Sequence, residues 1–493
     1  MSIGKQAGKG FVSFLFRSVL EKVMGLIAMI FLARKLTPYD FGLVSITEVL
    51  LYSISVFGTT GLAEFLLAYR KEDTKEVFTA AFWFNIVITI VVLAVFLAFI
   101  PLWAYYQRDE RIANIGLMAG GIFICSQLQT IPKTWLSKNL MFDKQVKIQA
   151  PFILLMPIGK IIAVFSGLGV YSLLLPTLIL QPILTVLLYQ QTDISIFVKL
   201  YRNRWREIYH FTKHLIGANI FTRITDQGDK FILGKFLGLD KLGIYNLAYQ
   251  LSELFTSQMV QVSNNVLSSV LPKYADDKSK LYNYYISFLR VFSFLTFPLL
   301  ALMFICAEPL ILTLYGPKWV EAVLPLRIFT VVAAFKAVSS SYGCVMNTLH
   351  LNKKTFMVTA IYAPVHLAAS VIGSFFGIVG IAAAVSLIKL IFINWNIKQV
   401  MQAMSKPLVS WYRQLLPFFS ASTLFSIIVV LFIYLLQVKV TPIVQIGISA
   451  TLFLTCYILY FRVILKDDTR SIGEFLSKAF PRSIKYFNLV FKV

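Results

Sequence analysis

Residues 77–101 read Val-Phe-Thr-Ala-Ala-Phe-Trp-Phe-Asn-Ile-Val-Ile-Thr-Ile-Val-Val-Leu-Ala-Val-Phe-Leu-Ala-Phe-Ile-Pro, a stretch without one charged side chain. A helix of this length crosses the roughly 30 Å of hydrocarbon in a bilayer. The strands of a membrane β-barrel would alternate apolar and polar residues, whereas this stretch is continuously apolar. The segment therefore predicts a transmembrane helix.

Similar stretches recur from end to end of the 493-residue chain, which is 58% hydrophobic and only 14% charged. Such a balance is foreign to soluble domains and predicts an all-α polytopic membrane protein with about fourteen transmembrane helices. An even number of helices puts both termini on one side. The predicted spans are 10–33, 41–68, 77–101, 112–136, 146–166, 170–190, 211–234, 242–268, 284–306, 325–349, 356–376, 378–397, 414–437 and 442–461.

The distribution of basic residues gives the orientation. Of the 46 Lys and Arg residues, 29 fall on the side of the termini, 8 on the opposite side and 9 deeper within spans. The 29 include Lys133, Lys147 and Lys213, which lie close to the ends of their spans on that side. Cytoplasmic loops carry an excess of Lys and Arg, so both termini are predicted to be cytoplasmic. The net charge of +23 is thereby assigned to the membrane surface and not to nucleic acid.

Several kinds of chemistry are not indicated by the sequence. The four cysteines stand singly in apolar segments, and the four histidines form no ligand set. A phosphate-binding G-x-x-x-x-G-K-[ST] loop is absent, as are nucleophile–base sets. We therefore predict a protein that is not an enzyme, with no metal, no cofactor and no ATP site.

The two halves of the sequence resemble each other. Leu32-Ala-Arg-Lys-Leu-Thr-Pro-Tyr-Asp-Phe-Gly-Leu43 aligns with Leu233-Gly-Lys-Phe-Leu-Gly-Leu-Asp-Lys-Leu-Gly-Ile244 at a shift of 201 positions. Gly169-Val-Tyr-Ser-Leu173 aligns with Gly377-Ile-Val-Gly-Ile381 at a shift of 208. This spacing predicts two parallel six-helix pseudo-repeats, which form N- and C-lobes around a central cavity, followed by two C-terminal helices.

The same segments resemble a known family. Leu36-Thr-Pro-Tyr-Asp-Phe-Gly42, the stretch from Gly234 to Tyr249, and Leu314-Tyr-Gly-Pro-Lys-Trp319 are similar to the Wzx-type polysaccharide transport family of the multidrug/oligosaccharidyl-lipid/polysaccharide exporter (MOP) superfamily. The resemblance implies a flippase that moves undecaprenyl-diphosphate-linked oligosaccharide by alternating access. Such transport serves the biosynthesis of lipopolysaccharide O-antigen, capsule or exopolysaccharide in a bacterial inner membrane. Coupling to an ion gradient is also implied.

The expected organisation follows from the spans and the repeat. The N-lobe covers 1–194, an interfacial linker helix 195–210, the C-lobe 211–400, helices thirteen and fourteen 401–465, and a basic cytoplasmic tail 466–493. The expected partners are the lipid-linked oligosaccharide, membrane lipids and, within the same biosynthetic system, a polysaccharide polymerase and a chain-length regulator. The protein is expected to be a monomer.

Charged residues inside the spans point to a hydrated cavity, since each costs at least about 2.5–3.5 kcal/mol in hydrocarbon. The segment Asn219-Ile-Phe-Thr-Arg-Ile-Thr-Asp-Gln-Gly-Asp-Lys230 places four ionisable side chains within eight residues. Arginine and lysine suit a lipid diphosphate, because they donate several hydrogen bonds to phosphate oxygens. The cations predicted to bind the diphosphate are Arg17, Lys22, Arg223, Lys230, Lys336 and Arg290. Neutralisation of same-face pairs such as Arg17 and Glu21 is the alternative role for these charges.

Two further groups complete the predicted site. The eighth span is unusually polar, and Tyr245, Asn246, Tyr249 and Gln250 are predicted to form a wall that contacts sugar. Hydrogen bonding between helices is the alternative for this group. Glu48, Asp226, Asp229 and Glu253 are predicted candidates for ion coupling, because burial in a low dielectric favours the protonated carboxyl group.

Three other functions stay open at this point. A multidrug or cation antiporter of the same superfamily would need an acidic cavity, whereas nine basic against six acidic residues lie within the spans. A lipid II flippase would differ in substrate and not in mechanism. A membrane scaffold would have no need of charges in a cavity.

Overall fold

The computed structural model describes residues 3–56, 61–69, 74–194, 200–435 and 441–479. Nineteen α-helices occupy these residues, and the described part of the chain contains no strand. Three short 3₁₀ helices cover Gly169–Leu173, Leu271–Tyr274 and Pro317–Ala322. The helices are α1 Ile3–Lys35, α2 Pro38–Ser55, α3 Leu62–Ala68, α4 Thr74–Gln107, α5 Arg111–Leu128, α6 Thr130–Lys138, α7 Phe142–Phe165, α8 Leu175–Tyr189, α9 Arg202–Phe236, α10 Leu239–Val270, α11 Lys278–Ile305, α12 Ala307–Leu314, α13 Val323–Ser339, α14 Tyr342–Thr348, α15 Asn352–Ser374, α16 Gly377–Ala403, α17 Leu408–Leu435, α18 Pro442–Val463 and α19 Lys466–Ala479.

Ten of the described helical segments are long and apolar enough to cross a membrane. The protein is therefore a multi-pass helical membrane protein, as predicted. Four helices predicted to span are not among the ten: α1, α2, α9 and α10. These four carry most of the ionisable and amide side chains predicted for the site, the exceptions being Arg290 on α11 and Lys336 on α13. Their composition sets them apart from helices that face lipid on every side. The count of fourteen spanning helices stays a prediction.

The order and pairing of the helices repeat along the chain. α2 begins at Pro38 and α10 at Leu239, which is the shift of 201 seen in the sequence. In the first half α4 packs on α5, α5 on α8, and α8 on α7. In the second half α11 packs on α13, α13 on α16, and α16 on α15. The same succession of packed helices therefore follows α1 and α2 in the first half and α9 and α10 in the second, as the internal repeat requires.

The chain divides into two compact units, Met1–Asn246 and Leu247–Val493, and the boundary falls within α10. The predicted linker does not form a separate helix in the described residues, because α9 continues without a break from Arg202 to Phe236. Residues 195–199 of that linker and residues 480–493 of the predicted tail lie outside the described residues. The lobe boundaries given above stay a prediction.

In the first unit, a core cluster joins α3, α4 and α6. The rings of Phe78 and Trp135 meet edge to face with centroids 4.9 Å apart, and Leu66 is fully buried beside them. Lys138, at the end of α6, closes this cluster by donating hydrogen bonds to the carbonyl oxygens of Leu66 at 2.7 Å and Tyr69 at 2.5 Å. Its ammonium group thereby satisfies carbonyls that the end of α3 leaves without helical partners.

Replacing Lys138 by methionine should destabilise the first unit by about 2 kcal/mol, because a charged donor is lost from two carbonyl groups. Thermal unfolding of the purified protein in detergent would measure the effect as a lower Tm. Lys144→Met is the matched control, since Lys144 is exposed on the first turn of α7. Equal Tm values for the two variants would show that Lys138 has no capping role.

In the second unit, aromatic side chains from α11, α17 and α18 form the core. Phe418 and Phe461 stack with centroids 5.4 Å apart, and Phe294 meets both rings edge to face. The fully buried Trp411 donates its indole N–H to the Tyr285 hydroxyl at 3.2 Å. The predicted thirteenth and fourteenth helices therefore pack against α11 and form part of this unit.

Candidate functional site

The hairpins α1–α2 and α9–α10 meet where the sequence repeat is strongest. A Cβ atom added at Gly42 would lie 1.9 Å from the Leu239 carbonyl oxygen, and one added at Gly243 would lie 1.9 Å from the Pro38 carbonyl oxygen. Both glycines and both carbonyl groups are related by the shift of 201. Because contact at these positions is between backbones, only glycine fits at either of them.

One turn further along α2 and α10, a hydrogen bond joins the two helices. The Asn246 side-chain amide donates to the Ser45 hydroxyl at 2.7 Å, and these two residues are again 201 positions apart. Equivalent residues that touch each other lie on a local two-fold axis. The first turns of α2 and α10 therefore cross about such an axis, with Gly42, Ser45, Gly243 and Asn246 at the crossing.

A network of polar side chains braces the start of α2. Thr37 and Asp40 form a reciprocal capping box, with the Asp40 carboxylate accepting from the Thr37 backbone N–H at 2.9 Å. Arg111 donates to the Asp109 carboxylate at 2.8 Å, and the Tyr39 hydroxyl donates to the same carboxylate at 3.0 Å. Arg111 also contacts Asp40 at 3.4 Å. The loop between α4 and α5 is thereby tied to the hairpin α1–α2.

Burial acts to raise the pKa of Asp109, but hydrogen bonds from Arg111 and Tyr39 outweigh burial and hold the pKa below its ordinary value. A carboxyl group with a lowered pKa in the folded protein adds stability above its unfolded pKa of about 4 and loses that contribution as pH falls through the folded pKa. The Tm of the wild type should therefore fall between about pH 5 and pH 3 more steeply than that of Asp109→Asn. Glu110→Gln, at the exposed neighbouring residue, should behave like the wild type. Parallel Tm curves for all three proteins would contradict this role of Asp109.

A second set of charges, here called the Glu48 cluster, comprises Glu48, Tyr52, Lys160, Arg223 and Lys230. Lys160 of α7 and Lys230 of α9 both interact electrostatically with the Glu48 carboxylate of α2. The Arg223 guanidinium lies 6.0 Å from the centroid of the Tyr52 ring, one turn along α2 from Glu48. Two lysines from two helices thus act on the Glu48 carboxylate, and Arg223 lies against the tyrosine one turn away.

Arg17 lies in a separate set of charges in the same unit. Its guanidinium contacts Glu21 at 3.8 Å on the same face of α1, as predicted from their spacing. Lys133 of α6 interacts electrostatically with both Arg17 and Glu21. Lys22, one position further along α1, is exposed. Two cations therefore share the one carboxylate of Glu21, and this set also carries a positive excess.

Lys133 was not among the predicted site residues. It lies near the cytoplasmic end of the predicted span 112–136, where a lysine is expected to reach the membrane surface. The structure breaks this span into α5 and α6 at Gln129, so Lys133 lies in a new helix and is half-buried. Pro132 was the available signal, because proline has no N–H to donate to the carbonyl of the residue four positions earlier, here Leu128, and its ring crowds that carbonyl.

The predicted acids of α9 differ in their surroundings. Asp229 is 5% exposed, and one of its carboxylate oxygens accepts from the Tyr245 hydroxyl. The other carboxylate oxygen has no hydrogen-bond partner among the described residues. Asp226 is exposed, as is Arg223. A buried carboxylate with one oxygen still able to accept a hydrogen bond can receive a further donor or a small cation.

The structure separates the predicted sugar-contacting residues into two kinds. Tyr245 and Asn246 are buried, and their polar atoms bond to Asp229 and Ser45. Tyr249 is half-buried, with its ring edge to face with Phe329 at 5.6 Å, and Gln250 is exposed. In this conformation Gln250 is the most accessible of the four. Contact between sugar and Tyr245 or Asn246 would need a different conformation.

In the second unit, the predicted residues Lys336 and Glu253 form an ion pair at 2.6 Å, with side chains 30% and 21% exposed. Glu253 is one turn from Tyr249 on α10, as Glu48 is from Tyr52 on α2. Each half therefore presents a carboxylate, a tyrosine one turn away and at least one lysine beside the carboxylate. Arg290 stands apart from these residues, because it forms an ion pair with Asp468 of α19. Its contact with a diphosphate stays a prediction.

Among the described residues, no group of three or more His, Cys, Asp or Glu side chains is arranged to hold a metal ion. Ionisable groups clustered on the most polar long helices of an otherwise apolar bundle are characteristic of a membrane transporter. The fold and the site together define this class.

Residues 31–324 match the model of the family described as polysaccharide biosynthesis protein, and the chain belongs to this family. It is 21% identical over 365 residues to the teichuronic acid biosynthesis protein TuaB of Bacillus subtilis (strain 168), covering 69% of this chain and 74% of the relative. It is 23% identical over 335 residues to the lipopolysaccharide biosynthesis protein WzxC of Escherichia coli (strain K12), covering 66% of each.

Among solved structures, the lipid II flippase MurJ in an inward closed conformation superposes with a TM-score of 0.72 at 13% sequence identity. The alignment covers 92% of this chain and 99% of MurJ. At this level of identity the likeness concerns the fold alone. It supports the predicted polytopic fold across nearly the whole chain.

Proposed function

We propose that this protein is a flippase that moves undecaprenyl-diphosphate-linked oligosaccharide repeat units across a bacterial inner membrane for surface polysaccharide biosynthesis. The observation that carries the proposal is the Glu48 cluster, in which Lys160 and Lys230 interact with a carboxylate of α2 and Arg223 lies one turn away against the Tyr52 ring. Membership of the polysaccharide biosynthesis family and likeness to WzxC, named for lipopolysaccharide biosynthesis, support the choice of substrate.

The chemistry of the substrate fits these cations. A lipid diphosphate carries negative charge on several oxygens, and it cannot cross hydrocarbon without compensation for that charge. Arg223 can offer a planar fork of N–H donors, while Lys160 and Lys230 supply compact charges. Glu48 would hold the lysines in place until phosphate oxygens replace its carboxylate. Arg17 and Lys133 would provide a second contact for the same headgroup. Lys336 of the second unit is a further candidate for binding phosphate oxygens.

Transport needs a route that opens to one face of the membrane at a time. We propose that the glycine crossing of α2 and α10 closes one end of this route, because backbones in contact leave no space for a sugar. Separation of the two helix starts would open that end. In the proposed topology the crossing lies at the outer face, with both termini cytoplasmic. This is alternating access between pseudo-symmetric halves.

Energy for transport in one direction would come from an ion gradient. Asp229 is our first choice for the coupling group, since it is buried and has an oxygen without a hydrogen-bond partner among the described residues. The diphosphate would draw the neighbouring lysine away from Glu48 and from Glu253. Each carboxylate would then bind a proton in place of its lysine partner. The exposed Asp226 is the fourth candidate.

The remaining features follow from this function. Movement of a lipid across a bilayer breaks no covalent bond, so the protein would need no enzymatic activity or cofactor, and an ion gradient would supply the energy in place of ATP. A monomer would suffice for transport, and a polymerase with its chain-length regulator would take up the delivered repeat units. A cation antiporter would present mainly acidic groups, and the nine basic against six acidic residues within the predicted spans disfavour it.

Deletion of the gene in its native host tests the proposal. Surface polysaccharide should disappear and undecaprenyl-diphosphate-linked oligosaccharide should accumulate, both restored by the wild-type gene on a plasmid. Unchanged polysaccharide without precursor accumulation would favour an antiporter. Arrest of cell-wall synthesis with normal surface polysaccharide would point to lipid II as the substrate.

A further inference from the structure

A groove of about 510 Å³ lies between the C-terminal part of α16 and the start of α17. It is lined by one face of α16 and by the first residue of α17, and the lining residues are Ile391, Asn394, Trp395, Lys398, Gln399, Gln402 and Leu408. Their spacing of three and four along α16 places them on a single stripe of that helix. None of these residues belongs to the charge sets described above.

The polarity of the groove changes along its length. Ile391 is 51% exposed and Trp395 is 39% exposed, so the first part is an open apolar surface that ends in an indole ring. Lys398, Gln399 and Gln402 follow within two turns and offer an ammonium group and amides. Tryptophan and lysine in this order mark the level at which hydrocarbon gives way to lipid headgroups. An occupant of the groove should therefore be an amphiphile that lies along α16.

The charged residue of the groove lining is basic, and two further basic residues lie close by in the sequence. The seven described lining residues include one lysine and no acid. Lys406 lies in the turn before α17 with its ammonium group 5.0 Å from the centroid of the Tyr282 ring, and Arg413 is exposed one to two turns into α17. Anionic headgroups are drawn to such basic sites between helices at the cytoplasmic surface.

We propose that this groove binds an anionic phospholipid of the cytoplasmic leaflet, with its phosphate at Lys398 and an acyl chain along Trp395 and Ile391. The amides of Gln399 and Gln402 would donate to the phosphate or glycerol oxygens. The Asn394 carbonyl oxygen is already engaged by the Tyr412 hydroxyl, which fixes the wall of the groove against α17. This site is independent of the proposed transport function.

Native mass spectrometry of the full-length protein in detergent tests this site. Delipidated protein is titrated with dioleoyl phosphatidylglycerol and, separately, with dioleoyl phosphatidylcholine. Lys398→Gln should weaken binding of the first phosphatidylglycerol molecule about fivefold, the effect of about one charge near a membrane surface. Gln402→Glu, which adds a negative charge to the groove at an exposed position, should weaken it at least as much. Binding of phosphatidylcholine should stay unchanged in both variants.

Lys353→Gln is the matched control, because Lys353 is an exposed lysine on the same proposed side of the membrane and lies outside the groove. It should bind phosphatidylglycerol like the wild type. If Lys353→Gln and Lys398→Gln weakened phosphatidylglycerol binding equally, the lipid would be held by diffuse electrostatic attraction to the basic surface. That result would overturn the proposed site. Loss of a copurified polyprenyl diphosphate from Lys398→Gln, with phosphatidylglycerol binding intact, would overturn the assignment to a phospholipid.

Discussion

Cells that carry Arg223→Ala are expected to lose most of their surface polysaccharide while the protein remains at its normal level. Removal of this guanidinium takes away charge-assisted donors to a phosphate oxygen, which weakens substrate binding roughly 10- to 100-fold. The side chain is exposed on α9 and its guanidinium lies 6.0 Å from the centroid of the Tyr52 ring, so folding should be little affected. Immunoblots of the membrane fraction and quantified polysaccharide measure the two quantities separately.

Arg206→Ala provides the control for this experiment. Arg206 is exposed on the same helix, more than four turns from Arg223, and contributes to none of the charge sets. Its loss should leave polysaccharide levels unchanged. Arg223→Lys should retain part of the activity, since charge remains while the planar fork of donors is lost. Normal polysaccharide in Arg223→Ala would remove Arg223 from the proposed substrate site.

The substitution Gly42→Ala, which adds one methyl group at the crossing of α2 and α10, is expected to lower both the stability of the protein and the amount of surface polysaccharide. In Gly42→Ala the new Cβ would lie 1.9 Å from the Leu239 carbonyl oxygen, and no flexible side chain there can move aside. The starts of α2 and α10 must separate, at a cost of about 1–3 kcal/mol typical of overpacked sites. Thermal unfolding should show a lower Tm, and polysaccharide should fall because the proposed closure of the route is lost.

Gly25→Ala is the matched control, because a Cβ atom at Gly25 of α1 would meet nothing within 4 Å. This variant should be as stable as the wild type or slightly more stable, since alanine favours a helix over glycine by up to about 1 kcal/mol. Gly243→Ala should reproduce the effect of Gly42→Ala, as the contact is reciprocal. Equal Tm values for Gly25→Ala and Gly42→Ala would contradict the tight crossing.

The fold was largely predictable because a membrane restricts the possible structures. Uninterrupted apolar stretches such as 77–101 can only be buried or face lipid, and α4 covers this stretch within a single helix. The shift of 201 between Gly42 and Gly243 was also visible in the sequence. The reciprocal contact between these glycines was not, because a repeat indicates that two segments are alike and does not indicate that they touch.

The candidate site was predictable in part. Charged residues within spans are costly, so Arg17, Glu48 and Arg223 stood out from sequence alone. Lys133 did not, because its partners Arg17 and Glu21 lie more than a hundred positions away and the break before α6 hid its depth. Arg290 could not be placed either, since its partner Asp468 belongs to a helix near the end of the chain. Contacts between distant segments depend on packing that a single sequence does not reveal.

The central claim is that this protein moves a lipid-linked oligosaccharide from the inner to the outer leaflet. Accessibility of the precursor's sugars to a membrane-impermeant lectin or glycosidase in spheroplasts tests it most directly. With the gene deleted and the polymerase also inactivated, the precursor should be protected in intact spheroplasts and become accessible only after lysis. With the wild-type gene restored, it should be accessible without lysis. Equal accessibility with and without the gene would contradict the claim.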